Sequence, residues 1–210
     1  MYSLITLPFA FRYLRFRDCA SDTQVSRLRD CMATPPHTYH TEAHIRAVLS
    51  CVWAWTKEAP SAPLVAAALY HDAVYDATRT DNEARSADFC RAELARMETT
   101  ADVIDAATRL IYATAHHVPA PDDADETLLL DADLHISGES PEAYAAYVKG
   151  VRAEYAHVPP GAWQTGRGRV LESFLARPRI YHGDWASVRE REAAARRNLQ
   201  AERNALNPAP

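Results

Sequence analysis

Residues 64–75 read Leu-Val-Ala-Ala-Ala-Leu-Tyr-His-Asp-Ala-Val-Tyr, and the reading of this stretch decides the fold. Leu64, Ala67, Ala68, His71 and Tyr75 recur at three- and four-residue intervals, the spacing of one helix face. On so apolar a helix the pair His71-Asp72 buries a carboxylate, which is costly unless paired or metal-bound. Adjacent helical residues point about 100° apart, so a regular helix does not normally turn both toward the core. On the dipeptide alone, an aspartate at the helix end beside a satisfied core histidine stays open.

Working outward, Ser61 caps this helix with Pro63 in its first turn, after a break at Ala59-Pro60. Thr41 caps an earlier helix in which His44, Val48, Cys51, Val52 and Trp55 share a face. Ser21-Asp22 starts another, to about Met32, broken by Pro35-Pro36. Downstream, helices are expected from Thr80 or Asp81 to about Met97, over 101–116, and over the short apolar segment 127–136. Ser140-Pro141-Glu142 opens one that runs to about His157 and stops at Pro159-Pro160-Gly161; two more follow at 163–176 and 187–204. No segment alternates as a strand does between turn dipeptides, so the expected fold class is all-α.

Composition agrees. The chain has 210 residues, the size of one domain or one with a modest extension, and only 6 Gly against 39 Ala, a bias toward helix. The glycines form neither GxGxxG nor GxxxxGK[ST], which excludes a glycine-based phosphate cradle. With 23 basic and 28 acidic residues the net charge is 23 − 28 = −5, which argues against duplex nucleic acid as a partner. No apolar run reaches 18 residues, and Arg12, Arg15 and Arg17 follow the apolar stretch 4–11, the wrong order for a leader. A cytoplasmic chain with no membrane partner is expected. Four widely spaced cysteines without a CxxC pair fit buried thiols in a reducing compartment.

Histidine is the unusual residue: seven of the nine lie between His37 and His135. His40 and His44 share a face if the helix begins at His40; if Thr41 is the cap, His40 sits just before the helix and leans toward the same pocket. One imidazole can then meet a divalent metal while the other moves a proton. Asp131 and Asp133 diverge on a helix, so only one reaches a shared site, and the capping or surface role falls to Asp131. His116 or His117 ends a helix, where the dipole favours a histidine in any case. His44, His71-Asp72, His116 or His117, and Asp133 therefore stand in order, each on a different helix. Two imidazoles and two carboxylates make a mixed nitrogen and oxygen set for Mn, Fe, Zn or Mg, suited to hydrolysis.

The order His…His-Asp…Asp resembles that of the HD-domain superfamily of metal-dependent phosphohydrolases, whose fold is an all-α bundle with the metal at its centre. Tyr39-His40-Thr41-x-x-His44 is also similar to a motif of the cyclic-nucleotide phosphodiesterases, and Ala132-Asp133-Leu134 matches theirs. That likeness implies His44 as ligand, His40 as proton donor, and Asp133 rather than Asp131 as the aspartate that closes the metal shell. The chain resembles most the small bacterial predicted HD phosphohydrolases, through Tyr70-His71-Asp72-Ala73-Val74-Tyr75-Asp76, Asn82-Glu83-x-x-Ser86-Ala87, Thr114-x-x-His117, Asp131-Ala-Asp-Leu134, Arg152-x-Glu154-Tyr155 and Glu192…Arg196-x-Asn198-Leu199. Thr41 replaces the Asn of the usual motif, and His37 stands where Arg is common. The resemblance implies one domain over 1–210, with a catalytic core at about 36–157 and a helical extension at about 158–204.

It implies also a metal shell of His44, His71, Asp72 and Asp133, with His117 reaching a second ion. One or two divalent ions (Mn, Fe, Mg, Zn or Ni) and a small phosphorylated substrate, nucleotides included, would be its ligands. Glu83 reads either as a base that holds water or as an exposed acid favoured by its helix dipole. Arg152 and Arg167 can grip phosphate in bidentate fashion, but most of the 21 arginines must be solvated or ion-paired. His135 and His182 read as structural, and Trp53 and Trp55 as core. Two other functions suit the same residues: a di-iron HD oxygenase, which needs six ligands around two irons, and a non-catalytic nucleotide-binding module. The oligomeric state stays open, a homodimer included.

Overall fold

Every side chain from Leu64 to Tyr70 is buried, so α4 (Ala62–Tyr70) has no solvent face beyond its first two residues. A helix apolar all round must be enclosed by others. The computed structural model, which describes residues 5–13, 21–33 and 37–206, encloses it with five. These are α1 (Leu7–Tyr13), α3 (Glu42–Trp55), α5 (Asn82–Arg96), α6 (Ala101–Ala113) and α7 (Ala124–Asp133). Ala66, Ala67 and Ala68 are the reason so many fit, because a methyl side chain lets neighbouring helices approach closely. α2 (Ser21–Met32) packs on α1 and is tied to α5 by Arg27, which donates from Nε and Nη2 to the buried Glu93, both at 2.7 Å.

The described residues fall into two compact units, one through Asp133 and one from Leu134. The second unit holds a 3-10 segment (Leu134–Gly138), α8 (Pro141–Glu154), α9 (Pro160–Leu175) and α10 (Val188–Leu206). Here Asn198 donates from Nδ2 to the carbonyls of Ser137 and Glu139, both at 2.9 Å. Arg196 closes the end of α9 by donating to the carbonyls of Leu175, Arg177 and Pro178. Glu192 accepts the backbone N–H groups of Ile180 and Tyr181. A Cβ on Gly138 would lie 2.7 Å from the Tyr181 hydroxyl, so that position needs glycine.

The fold is all-α: ten α-helices, with no strand among the described residues. None of the helices described is long and apolar enough to cross a membrane. The expected caps form, since Thr41 Oγ1 accepts from Ala43 N–H and Ser61 Oγ from Leu64 N–H. Ser140 does the same for Ala143. The Pro35-Pro36 break, Cys19, Arg15, Arg17 and the last four residues lie outside the described residues.

Two helices end earlier than their patterns predict. α6 stops at Ala113, where turns carry the chain through His117. α4 stops at Tyr70 and does not reach Tyr75. Side chains of α5 take over the backbone groups that a longer helix would use: Ser86 bonds Val74, and Asn82 bonds Asp76. Replacing the fully buried Leu69 with alanine leaves a void in the most enclosed helix. We expect Leu69→Ala to cost about 2–5 kcal/mol, read from denaturant unfolding followed by circular dichroism.

Candidate metal centre

Three helix ends and one turn deliver the site. His44 stands in the first turn of α3, just after the Thr41 cap, and is buried. His71 is the C-cap of α4, and Asp72 follows in the turn. His71 keeps helical dihedrals, φ −55° and ψ −38°, and the Ala73 N–H bond to the Tyr70 carbonyl carries Asp72 through one tighter turn, so the two side chains reach one point from adjacent positions at the helix end. Asp133 is the last residue of α7.

His44 Nε2 lies 3.1 Å from His71 Nε2, 3.3 Å from Asp72 Oδ2 and 3.1 Å from Asp133 Oδ1. His71 Nε2 lies 3.3 Å from Asp72 Oδ2 and 3.5 Å from Asp133 Oδ1. All four donor atoms fall within 4.8 Å of one another. Bonds of about 2.1 Å imply ligand-to-ligand edges of about 3.0 Å in an octahedron and about 3.4 Å in a tetrahedron. The observed spacings match those edges.

The chemistry of the donor set fits as well. His71 Nδ1 lies 3.1 Å from the Ala68 carbonyl, which only accepts, so in the neutral imidazole the proton belongs on Nδ1 and the Nε2 lone pair faces the centre. Two neutral imidazoles and two carboxylates carry a charge of −2, which a divalent ion balances. Burial alone disfavours charge on His44, but hydrogen bonds to Asp133 and Asp72 outweigh it and raise its pKa. His71 behaves likewise: burial opposes its charge, yet Asp72 and Asp133 lift it well above the ordinary value. Burial likewise opposes ionisation of both aspartates. For Asp72 the histidines overcome it, His71 foremost; for Asp133 the hydrogen bond from His117 leads, so both pKa values are pulled well below the ordinary carboxylate range. The pocket's field favours positive charge.

His117 approaches from outside the four-donor group. Its Nε2 lies 2.8 Å from Asp133 Oδ2, the oxygen turned away from His44 and His71. Its backbone has φ 49°, a left-handed conformation that a β-carbon disfavours and that surrounding structure must hold. The neighbouring His116 is exposed, so His117 is the one of the pair that meets the site. Asp131, expected on the surface or as a cap, is fully buried instead, because α7 packs against α3, α4 and α6 together. It is not part of the donor group.

His40 precedes the helix and stacks face to face on Tyr75, ring centroids 3.7 Å apart and planes 19° apart. Its ring lies 5.9 Å from that of His44, and it is only half-buried. Tyr75 was legible only as one more position on a helical stripe; the turn that swings it over His40 has no local signature. Glu83 stands half-buried in the first turn of α5, outside the donor group. Both candidate arginines are engaged within the second unit. Arg167 pairs with Glu202 through Nε and Nη2, at 2.8 and 3.0 Å, and donates to the Tyr147 hydroxyl. Arg152 donates to the carbonyls of Tyr155 and Val158 and lies over the Trp163 ring. His135 and Trp55 are buried, as expected, and Trp53 packs edge-on against Phe9.

No family model, no curated protein and no solved structure matches the chain.

The raised imidazole pKa values set a pH dependence. A metal ion must displace protons that His44 and His71 hold to higher pH than ordinary histidines do. Mn(II) affinity is therefore expected to climb with pH through about 6.5 and beyond, with protons released on binding. Calorimetric titration in buffers of different ionisation enthalpy measures both, and affinity that is flat above about pH 6 would contradict the assignment.

Proposed function

We propose that this chain is a metal-dependent phosphohydrolase of the HD type, acting on a small phosphoester, with nucleotides among the candidate substrates. The observation that carries the reading is the convergence of His44, His71, Asp72 and Asp133 on one point of an all-helical unit, in the chain order His, His-Asp, Asp. Those four residues would hold a divalent ion, with Mn, Fe, Mg, Zn and Ni all compatible with two nitrogen and two oxygen donors. When bound, such an ion polarises a phosphoryl oxygen and acidifies water for attack at phosphorus.

The remaining work falls to protein groups. His40, half-buried beside His44 and held by the Tyr75 stack, is the proton donor to the leaving oxygen. His117 binds the outer oxygen of Asp133 and so fixes the orientation of that carboxylate. Four donors plus His117 fall short of the six-ligand shell of a di-iron oxygenase, which favours hydrolysis. A net charge of −5 favours a small substrate over a duplex nucleic acid. The absence of a CxxC pair is consistent with a cytoplasmic protein.

Two variants separate the roles. Asp72→Ala is expected to lose bound metal and, with it, activity against a panel of nucleotides and phosphomonoesters. His40→Asn is expected to keep its metal while kcat falls by about 10²–10⁴-fold. Metal content by mass spectrometry and steady-state rates report these effects. Full metal occupancy in Asp72→Ala would refute the ligand assignment.

A further inference from the structure

His40, assigned above as the proton donor, is carried by residues 37–41, which precede α3 outside any helix. Across it the Thr41 N–H donates to the Tyr39 carbonyl at 2.8 Å, closing a three-residue turn. Such a turn fixes where the side chain starts but leaves the imidazole two torsions, the second of them broad. Neighbouring rings narrow that freedom. Tyr75 covers one face of the imidazole, with centroids 3.7 Å apart and planes 19° apart. Tyr39 meets it edge-on at 5.0 Å and 82°. The ring of His44, one of the four donors, stands edge-on at 5.9 Å.

Tyr75 is anchored through both of its chain neighbours. The Ser86 hydroxyl on α5 accepts the Val74 N–H and donates to the Val74 carbonyl, each at 3.1 Å. The Asn82 side-chain amide does the same for both backbone groups of Asp76 at 3.0 Å. The Tyr75 ring also meets His37 edge-on, 5.8 Å away at 76°. A ring on a backbone held in this way offers His40 a fixed surface to lie against.

We infer that Tyr75 is a positioning residue for proton transfer, its stack fixing the plane of the His40 imidazole so that the N–H meets the leaving oxygen. The inference rests on the phosphohydrolase reading above. In that reaction the ester P–O bond breaks, and the leaving oxygen keeps the electron pair and takes the proton from His40. The oxygen of the attacking water bonds phosphorus, and its proton passes to solvent, which reprotonates His40. An alkoxide needs the donated proton as it leaves, whereas p-nitrophenolate departs as a stable anion. A reacting group displaced by about 1 Å can cost about 10²-fold in rate. The cost of releasing His40 from the stack therefore falls on alkyl esters.

The test compares wild type, Tyr75→Leu, Tyr75→Phe and His40→Asn in Mn(II) on two esters, adenosine 5′-phosphate and p-nitrophenyl phosphate. Tyr75→Leu is expected to lower kcat about 10–100-fold on the nucleotide and less than about 3-fold on the aryl ester, with KM little changed. Tyr75→Phe keeps a ring to stack on and recovers most of the loss. In a His40→Asn background, Tyr75→Leu adds no further loss, because it acts through a group already removed. The imidazole proton shifts of His40, read in diamagnetic Mg(II), give a second measure independent of turnover. The Tyr75 ring current holds them upfield; the displacement vanishes in Tyr75→Leu and persists in Tyr75→Phe. Should Tyr75→Leu not fold, His37→Ala, which removes the edge contact on Tyr75, carries the same comparison. A wild type without the upfield shift, equal losses on the two esters, or additive losses in the double variant overturn the role of Tyr75 alone. A wild type that turns over neither ester defeats the phosphohydrolase reading, and the role of Tyr75 with it.

Discussion

Two aspartate carboxylates sit mostly out of solvent with their oxygens 3.1–3.5 Å from two imidazole nitrogens, and the arrangement of the first unit depends on keeping them there. Carboxylates removed from water cost several kcal/mol each unless a positive charge meets them. In this pocket the histidines can supply that charge by holding protons, or a divalent ion can supply it to the whole set. The same field that raises the imidazole pKa values makes the pocket attractive to a cation. The field that would hold protons on the histidines is thus the same one that a divalent ion would meet in this pocket.

Bringing those groups together requires a helix with no solvent face. α4 supplies it, since its alanines let α1, α3, α5, α6 and α7 close around it. Burial on every side also means that whatever leaves the end of α4 emerges in the interior, where His71 and Asp72 stand. α3 and α7 then need only place one residue each near a terminus, His44 in a first turn and Asp133 as a last residue. Helix ends suit this purpose, because side chains there can approach a point that the body of the helix would block.

Arginine plays a different part in the second unit. Arg167 with Glu202, Arg191 with Glu139, and Arg196 with Glu192 and three carbonyls join helix to helix and helix to loop. The planar guanidinium fork, with five donors, can bond a carboxylate bidentately and backbone oxygens at once, a geometry that the three donors of a lysine ammonium do not match. That use explains a chain with 21 arginines and 2 lysines better than a phosphate-binding role for each.

Much of this was legible in the residues themselves. The helical class and the Thr41, Ser61 and Ser140 caps follow from local pattern, because helix propensity and capping are short-range effects; the four residues that cluster were singled out by their order and, for His44 and Asp133, by a family resemblance. Three features were not. Spacing alone carries a helical stripe through Tyr75, whereas α4 ends at Tyr70, and gives Asp131 a capping or surface role, whereas it is fully buried. Spacing leaves His116 and His117 equivalent, while a left-handed turn gives the site to His117. In each case the deciding partner lies a dozen or more residues away or depends on a turn whose geometry its own residues disfavour. The sequence by itself thus determined which groups are present and on which elements; only the tertiary structure decided that His44, His71, Asp72 and Asp133 face one point, because that depends on how α3, α4 and α7 pack together.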